Sequence, residues 1–184
     1  MAAGTLYLIV GPSGAGKDTL IDGVRTALEG SPDYVFARRV ITRPAEMGGE
    51  EHQAATDEEF QAIEAADGFM VSWRAHGLCY GLEKSLETDL ARGRHVIANV
   101  SRAVLAGLIE RFPSYCIVEI TAAPEILAER LAHRGRESAA DIAERLAREA
   151  SEYPSGAKRI TLLNDRTPEE GVARLLAILK NTQC

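Results

Sequence analysis

GPSGAGKDT, residues 11–19, is the stretch of the chain that decides the fold. In the pattern G-x-x-x-x-G-K-[ST], glycines let backbone amides turn toward phosphate oxygens, the lysine reaches the terminal phosphates, and a hydroxyl binds magnesium. Gly11, Gly16 and Lys17 match this pattern, but Asp18 stands in place of the hydroxyl. A carboxylate here needs a reason, because two like unit charges about 4 Å apart repel by roughly 4 kcal/mol at an effective dielectric near 20.

The segments on either side of this stretch have the order that a phosphate loop requires. Leu6 to Val10 is a short aliphatic run, as expected of a strand buried on both faces of a parallel sheet, and the chain becomes helical from Gly16. The dipole of a helix N-terminus attracts phosphate as well. The alternative is a glycine-rich turn with an exposed lysine. We predict a nucleotide-phosphate site formed by Gly11, Pro12, Ser13, Gly14, Ala15, Gly16, Lys17, Asp18 and Thr19.

The composition limits the other classes of function. A chain of 184 residues, 46% hydrophobic and 26% charged, is long enough for one domain with a full core. The formal net charge of -6 argues against a general nucleic-acid surface, and the first apolar run is too short to span a membrane or to act as a secretory signal. We therefore expect a cytoplasmic protein that binds neither nucleic acid nor membrane. Reduced thiols are expected at Cys79, Cys116 and Cys184, which lack metal-like spacing.

Strand-like and helix-like segments alternate along the rest of the chain. Buried strands are predicted at 94–100, 115–121 and 159–164, and N-terminal capping signals at Thr56 and Thr167 begin two of the helices. This alternation predicts an α/β fold whose ligands bind at the carboxyl ends of the strands. We expect a single domain over residues 1–184.

Two segments interrupt the alternation. Residues 35–81 are predicted to form an acceptor-binding lobe, and residues 130–150 an arginine-rich lid hinged at Gly135. Phosphoryl transfer depends on neutralising charge around the transferring group, which a set of arginines can do. Each of these arginines, taken alone, also fits a solvated helix residue paired with a neighbour. The lid arginines are Arg130, Arg134, Arg136, Arg145 and Arg148.

The lobe has its own cluster of basic residues, Arg38, Arg39 and Arg43. Pro44 restricts Arg43 to extended or turn geometry, and bidentate guanidinium contacts suit a phosphate on the acceptor. Arg38 or Arg39 also fits the end of a strand. His52 and His76 have no metal-ligand spacing, so hydrogen bonding to a sugar or phosphate and a solvated loop position are both open for them.

Over nearly its whole length the chain resembles the guanylate kinase family, through GPSGAGK, ITRP, HGLCYG, RLAHRGRES and LLND. The resemblance implies the P-loop kinase fold, in which helices flank a five-stranded parallel core and an arginine-bearing lid closes over ATP. ATP would be the phosphoryl donor and Mg²⁺ the cofactor. By the same resemblance, Arg43 binds the acceptor's phosphate and Asn164 lies near the adenine. The residues implied to act on the transferring phosphates are Lys17, Arg130, Arg134 and Arg145.

The guanine-binding residues of that family are largely replaced. Guanylate kinases bind guanine through an acid in a FLEW-type segment and through tyrosines. Here Val71 stands at the acidic position, His52 near the first tyrosine, and Cys79 at one of the second pair, which leaves Tyr80. Valine cannot accept hydrogen bonds from the guanine N–H groups, so polar groups would stay unpaired. GMP is therefore a poor candidate.

The departures form a set of their own: GPSGAGKD, RRVITRP, GGEEH, WRAHGLCYG and NVSR. They resemble the ribose 1,5-bisphosphate phosphokinases of phosphonate catabolism, which use ATP to make 5-phosphoribosyl 1-diphosphate (PRPP). The resemblance implies a small phosphorylated sugar as the acceptor. A nucleoside monophosphate kinase and a guanylate-kinase-like binding module without catalysis are the alternatives, and the oligomeric state is open, with a homodimer among the alternatives. The residues expected to bind the substrate are Arg39, Arg43, His52, His76, Tyr80, Ser101 and Arg102; Ser101 also fits an ordinary helix cap.

The resemblance also suggests a role for Asp18. Guanylate kinases carry acids near the metal in an LDIDVQG segment, whereas the corresponding VIANVSR has Asn99 and no acid. We predict that the carboxylate of Asp18 faces the Mg²⁺ of ATP, with Thr19 as a second candidate, because attraction to the ion offsets repulsion from phosphate. Alternatively, Asp18 only interacts with the helix N-terminus, where a carboxylate is favoured by about 0.3 to 1 kcal/mol.

Overall fold

The computed structural model describes residues 3–44, 51–133 and 153–181 of the chain. Strands and helices alternate through these ranges. The strands are β1 (Leu6–Val10), β2 (Tyr34–Phe36), β3 (Arg39–Ile41), β4 (Gln53–Ala54), β5 (Phe69–Ala75), β6 (Leu78–Glu83), β7 (His95–Asn99), β8 (Tyr115–Thr121) and β9 (Arg159–Leu163). The helices are α1 (Lys17–Ala27), α2 (Asp57–Ala65), α3 (Ser85–Ala91), α4 (Leu105–Arg111), α5 (Pro124–His133) and α6 (Pro168–Asn181), with a short 3-10 turn at Arg102–Val104.

Five strands form one sheet in the order β2-β7-β1-β8-β9. β2 pairs in parallel with β7, and β8 pairs in parallel with β9. All five residues of β1 are buried, which explains why this strand is a continuous aliphatic run rather than an alternating one. The predicted five-stranded parallel core with flanking helices is confirmed.

The strongest local signals in the sequence are matched closely. The predicted strands at 6–10 and 115–121 have the predicted bounds, while those at 94–100 and 159–164 are shortened to His95–Asn99 and Arg159–Leu163. At the start of α2, the Thr56 hydroxyl accepts from the Glu59 backbone N–H at 3.1 Å, and the Glu59 carboxylate accepts from the Thr56 N–H at 2.8 Å. This reciprocal pair is the capping box that the sequence predicts.

Backbone contacts divide the chain into two units. The first unit comprises Met1–Tyr7 and Ser31–Tyr115, and the second comprises Leu8–Gly30 and Cys116–Cys184. Among the described ranges, every helix is too short or too polar to cross a bilayer.

Two cysteines lie among the described residues. Cys79 on β6 is a half-buried free thiol, as expected. Cys116 on β8 is fully buried, and its predicted reduced state stays a prediction.

The first unit contains a second sheet, with the strand order β4-β3-β6-β5. β5 and β6 form a hairpin joined by His76 and Gly77, which have φ values of 51° and 74°. Two positive φ values are typical of the type I′ turn, whose twist matches the twist of the paired strands. A register shift between Phe69 and Val71 lets the consecutive residues Phe69 and Met70 both be buried.

Helix α2 covers one face of this second sheet. Phe60 on α2 packs against Phe69, with ring centroids 4.7 Å apart, and Val40 completes the buried cluster. At the edge of this face, the Glu64 carboxylate accepts from the Arg74 guanidinium at 2.7 Å and from the Ser72 hydroxyl at 2.6 Å. Both hydrogen bonds lower the pKa of the Glu64 carboxyl below its usual value, and the one from Arg74 has the larger effect. The helix thus leaves the opposite face of the sheet for other contacts.

Candidate active site

The phosphate loop of the second unit joins β1 to α1 through three glycines with positive φ. Gly11, Gly14 and Gly16 have φ values of 149°, 82° and 85°. A Cβ at Gly11 would lie 1.9 Å from the carbonyl oxygen of Ile120, and one at Gly16 would lie 2.6 Å from Nδ2 of Asn164. The glycines are therefore required both by backbone conformation and by the close approach of neighbouring chain.

Lys17 is the first residue of α1, and its side chain folds back across the loop. Its ammonium group donates to the carbonyl oxygens of Gly11 at 2.8 Å and of Pro12 at 3.0 Å. The side chain is half-buried, which disfavours the alternative of a glycine turn with an exposed lysine. A positive charge is thus held at the loop, where the pattern places the phosphates.

Asp18 and Thr19 follow in the first turn of α1. Asp18 is half-buried and Thr19 is exposed, and the N-cap residue Gly16 has no side chain with which to cap the helix. Within the described ranges, no three His, Cys, Asp or Glu side chains are grouped to hold a metal ion. Asp18 and Thr19 offer one carboxylate and one hydroxyl beside the loop. This pair fits an ion that takes its other ligands from phosphate and water, as Mg²⁺ bound with a nucleotide does.

Two side chains from elsewhere in the second unit bind the loop. Asn164, which follows β9, donates from Nδ2 to the carbonyl oxygen of Ala15 at 2.8 Å. Arg130, on α5, donates to the carbonyl oxygens of Gly14 at 3.4 Å and of Asn164 at 3.0 Å. The structure thus brings to the loop both Arg130, predicted to act on the transferring phosphates, and Asn164, predicted to lie near the adenine. Each of them contacts the loop through a backbone carbonyl oxygen.

Most of the predicted lid falls outside the described residues. α5 is described up to His133 and includes Arg130. The predicted roles of the remaining lid arginines stay predictions. The lid arginines outside the described residues are Arg134, Arg136, Arg145 and Arg148.

The predicted substrate residues belong to the first unit, and two of them share the face of the second sheet opposite α2. Trp73 lies opposite Tyr80, and Leu82 lies opposite both Val71 and Arg39, so all five side chains lie on one face. The Trp73 and Tyr80 rings stack with centroids 5.4 Å apart, and the Arg39 guanidinium carbon is 5.3 Å from the Tyr80 centroid. The position aligned with the guanine-binding acid thus carries an apolar side chain next to an aromatic and cationic stack.

Arg43 and His52 form the second cluster, beyond the end of β3. His52 is only 6% exposed, with Nε2 2.9 Å from the Arg43 carbonyl oxygen and Nδ1 3.4 Å from Nη2 of Arg43. These contacts fit the tautomer in which Nε2–H donates to the carbonyl and Nδ1 accepts from the guanidinium. Nε of Arg43 is buried and has no hydrogen-bond partner among the described residues. Since an unsatisfied buried donor costs about 1 to 3 kcal/mol, this guanidinium suits an anionic ligand.

Three predicted substrate residues lie elsewhere in the first unit. His76 is exposed at the tip of the β5–β6 hairpin, and the turn conformation accounts for its position there. The Ser101 hydroxyl accepts from the Ala103 backbone N–H at 3.3 Å, which is the capping role given above as its alternative. Arg102 begins the 3-10 turn, which lies next to β5. Their contacts with a substrate stay predictions.

Two contributors to these clusters, Trp73 and Arg38, had no role predicted from the sequence. Trp73 enters the stack through the register of the hairpin, which the two-residue turn His76-Gly77 could have indicated. Arg38, a member of the basic cluster whose position also fits the end of a strand, donates to the carbonyl oxygen of His52 at 3.1 Å. That contact holds the backbone of His52, and no local sequence signal points to it.

Comparison with known proteins agrees with this architecture. The family model described as guanylate kinase matches residues 3–181. The chain belongs to the guanylate kinase family. A crystal structure of guanylate kinase from Anaplasma phagocytophilum matches 100% of this chain and 88% of its own, with a TM-score of 0.69 and 20% identity, and this likeness shows the fold.

Relatives of higher identity have a different name. Ribose 1,5-bisphosphate phosphokinase PhnN from Acidiphilium cryptum is 49% identical over 177 residues, which are 96% of this chain and 93% of the relative. A bifunctional ribose 1,5-bisphosphokinase-thymidine phosphorylase from Azorhizobium caulinodans is 51% identical over 179 residues, 97% of this chain, and one from Cupriavidus necator matches equally. The chain spans only 26% and 30% of those two bifunctional proteins. The predicted resemblance to the ribose 1,5-bisphosphate phosphokinases is confirmed.

The stack on the second sheet can be tested through Trp73, the only tryptophan of the chain. Trp73 is 7% exposed and lies against the Tyr80 ring. We expect Tyr80→Ala to shift the tryptophan emission maximum to longer wavelength, because the indole loses the ring that shields it from water. Tyr80→Phe keeps the ring and should leave the emission close to that of the wild type. Equal spectra for the two variants would contradict the stacked arrangement.

Proposed function

We propose that the protein transfers the γ-phosphate of ATP to ribose 1,5-bisphosphate and so forms PRPP, a step of phosphonate catabolism. The observation that carries this proposal is the composition of the face of the second sheet opposite α2, here called the acceptor face. It has Arg39 beside Tyr80, and the apolar Val71 stands where guanine recognition needs an acid. The similar proteins named ribose 1,5-bisphosphate phosphokinase support it. The proposal treats residues 1–184 as one domain with a lobe at 35–81 and a lid at 130–150.

The acceptor follows from what this face can and cannot bind. A guanine ring would place N–H donors against an apolar side chain and leave them unpaired, at a cost of about 1 to 3 kcal/mol for each buried group. A sugar bisphosphate has no base to satisfy, but it carries a second phosphate. Arg43, whose buried Nε–H lacks a partner in the described part of the chain, is assigned to one acceptor phosphate.

The proposed reaction needs no covalent enzyme intermediate. An oxygen of the 1-phosphate attacks the γ-phosphorus of ATP, the bond from that phosphorus to the β-phosphate oxygen breaks, and ADP leaves with the bonding electrons. The new P–O–P linkage is the 1-diphosphate of PRPP. The loop amides and Lys17 hold the phosphates of ATP, and the lid arginines, Arg130, Arg134 and Arg145, are assigned to the charge on the transferring group.

Asp18 and Thr19 would hold Mg²⁺ together with the nucleotide. Bound there, the ion would neutralise charge on the phosphates of ATP, and its attraction would offset the repulsion between the carboxylate and the phosphates. The position of Asp18 in the first helical turn supports this assignment. We also propose a cytoplasmic location, and the formal net charge of -6 argues against a general nucleic-acid surface.

The substrate assignment is tested by incubating the protein with ATP, Mg²⁺ and either ribose 1,5-bisphosphate or GMP, and following the products by phosphorus NMR. We expect the diphosphate signals of PRPP to rise together with ADP in the first sample, with much slower formation of GDP in the second. Preferential turnover of GMP would replace the proposal with a guanylate kinase. Failure of calorimetry to detect ATP binding would instead favour a binding module without catalysis.

The pairing of Arg43 with His52 predicts different effects for two substitutions of the histidine. His52→Asn keeps an acceptor near the position of Nδ1, whereas His52→Gln keeps a donor near the position of Nε2. Because Nδ1 is the atom that contacts the guanidinium, we expect His52→Gln to raise the KM for ribose 1,5-bisphosphate by about tenfold, and His52→Asn by only about threefold. The KM for ATP should change little in either. Steady-state kinetics measures these values, and an unchanged acceptor KM in both variants would rule out this role for His52.

A magnesium titration of activity tests the assignment of Asp18. Asp18→Ala should raise the Mg²⁺ concentration needed for half-maximal rate by about tenfold, because the ion loses a charged partner. Asp18→Ser restores the hydroxyl of the usual pattern and should shift the requirement less. If neither variant moves the magnesium dependence, the carboxylate serves only the helix N-terminus.

A further inference from the structure

A buried carboxamide lies directly beside the phosphate loop. Asn164 is 6% exposed, and its Nδ2 donates to the carbonyl oxygen of Ala15 at 2.8 Å. Its side chain is enclosed by two glycines: a Cβ at Gly16 would lie 2.6 Å from Nδ2, and a Cβ at Gly171 would lie 2.7 Å from Oδ1. The carboxamide therefore has little freedom to turn toward a ligand.

The backbone of Asn164 is anchored as firmly as its side chain. Its N–H donates to the carbonyl oxygen of Thr121, the last residue of β8, at 2.6 Å. Its own carbonyl oxygen accepts from Nη2 of Arg130 at 3.0 Å. Asn164 thus connects the sheet and α5 to one specific peptide group of the phosphate loop.

That peptide group is the one between Ala15 and Gly16. In a trans peptide the C=O and the N–H point in opposite directions. Because the Ala15 carbonyl is held against Asn164, the Gly16 N–H must point away from it. Gly16 immediately precedes Lys17 in the pattern, and backbone amides at such positions bind nucleotide phosphate.

We propose that Asn164 is a positioning residue of the phosphate loop, whose carboxamide orients the Gly16 N–H toward the nucleotide phosphates. This role differs from the adenine contact that the family resemblance implies. The inference rests on the part of the proposed function that assigns ATP to this loop, and it is independent of which acceptor is phosphorylated. Asn164 acts on the phosphates through the loop and touches neither the base nor the transferring group.

The test distinguishes an effect on binding of the ligand's phosphates from an effect on binding of its base. Asn164→Leu keeps the branched shape of the side chain but removes the N–H donor and adds no charge. Asn164→Ala is a second variant in case the first does not fold. Asp165→Ala changes the exposed neighbouring residue and serves as the control. Thermal melting identifies the temperatures at which each variant is folded. Calorimetry then gives dissociation constants for ATP, GTP and inorganic tripolyphosphate at a fixed Mg²⁺ concentration, and tripolyphosphate has no base at all.

We expect loss of the carboxamide to weaken all three ligands by a similar factor of about ten, with an unchanged ratio between ATP and GTP, while Asp165→Ala matches the wild type. Weaker ATP binding with unchanged tripolyphosphate binding would overturn the proposal in favour of an adenine contact. Unchanged binding of all three ligands by the folded variants would overturn the proposal and show that Asn164 has only a structural role.

The same data separate this inference from the proposed function. If the wild type binds ATP and tripolyphosphate and the Asn164 variants behave as expected, the positioning role stands even when the NMR assay finds no PRPP. In that case only the acceptor assignment fails. A wild type that binds neither ATP nor tripolyphosphate would overturn both.

Discussion

A phosphate loop can bind an anion only if its carbonyl oxygens, which would repel the anion, are held away from it. In this protein four loop carbonyls accept hydrogen bonds from three side chains: Lys17 takes two of them, Arg130 one and Asn164 one. Each bond fixes a peptide plane, and the N–H on the opposite side of that plane is fixed with it, except in the Gly11–Pro12 peptide, which has no N–H. The glycines provide the backbone conformations, and the donors decide which way the peptide groups point. The nucleotide site therefore depends on residues outside the loop as much as on the loop's own pattern. The four carbonyls belong to Gly11, Pro12, Gly14 and Ala15.

The proposed acceptor selectivity rests on two features of the first unit. Val71 stands where guanylate kinases carry a carboxylate, so a base with N–H donors would find no partner on the face that holds Arg39 and Tyr80. His52 contacts both the guanidinium and the carbonyl oxygen of Arg43 and so orients it. A site that leaves the donors of one ligand unpaired can reject it far more strongly than a change of size in an apolar pocket could. The same fold can thus carry an acceptor site for a nucleotide or for a sugar phosphate.

The sequence predicts those parts of the molecule whose cause is local. The buried strands at Leu6–Val10 and Tyr115–Thr121 are continuous aliphatic runs, and the capping box at Thr56 needs only four consecutive residues. Two strands of the second sheet, β3 and β4, cannot be predicted in this way because they have only three and two residues. The stack of Tyr80 on Trp73 depends on strand register and on a bulge, and the contact of Asn164 with the loop depends on packing between segments far apart in the chain. The sequence therefore predicts which residues belong to the site, but their roles can be assigned only from the three-dimensional contacts.

The net charge of -6 raises a question for a protein assigned two polyanionic ligands. At physiological ionic strength the Debye length is about 8 Å, so the average charge of the surface acts weakly on a ligand already in the site. Contacts of about 3 Å, such as those that a guanidinium or an ammonium makes, are screened far less, especially where they are half-buried. Binding strength must then come from a few cations held in defined geometry, as Lys17 and Arg43 are held by loop carbonyls and by a histidine. This dependence on geometry explains why side chains that never touch the ligands, such as Asn164, can matter as much as those that do.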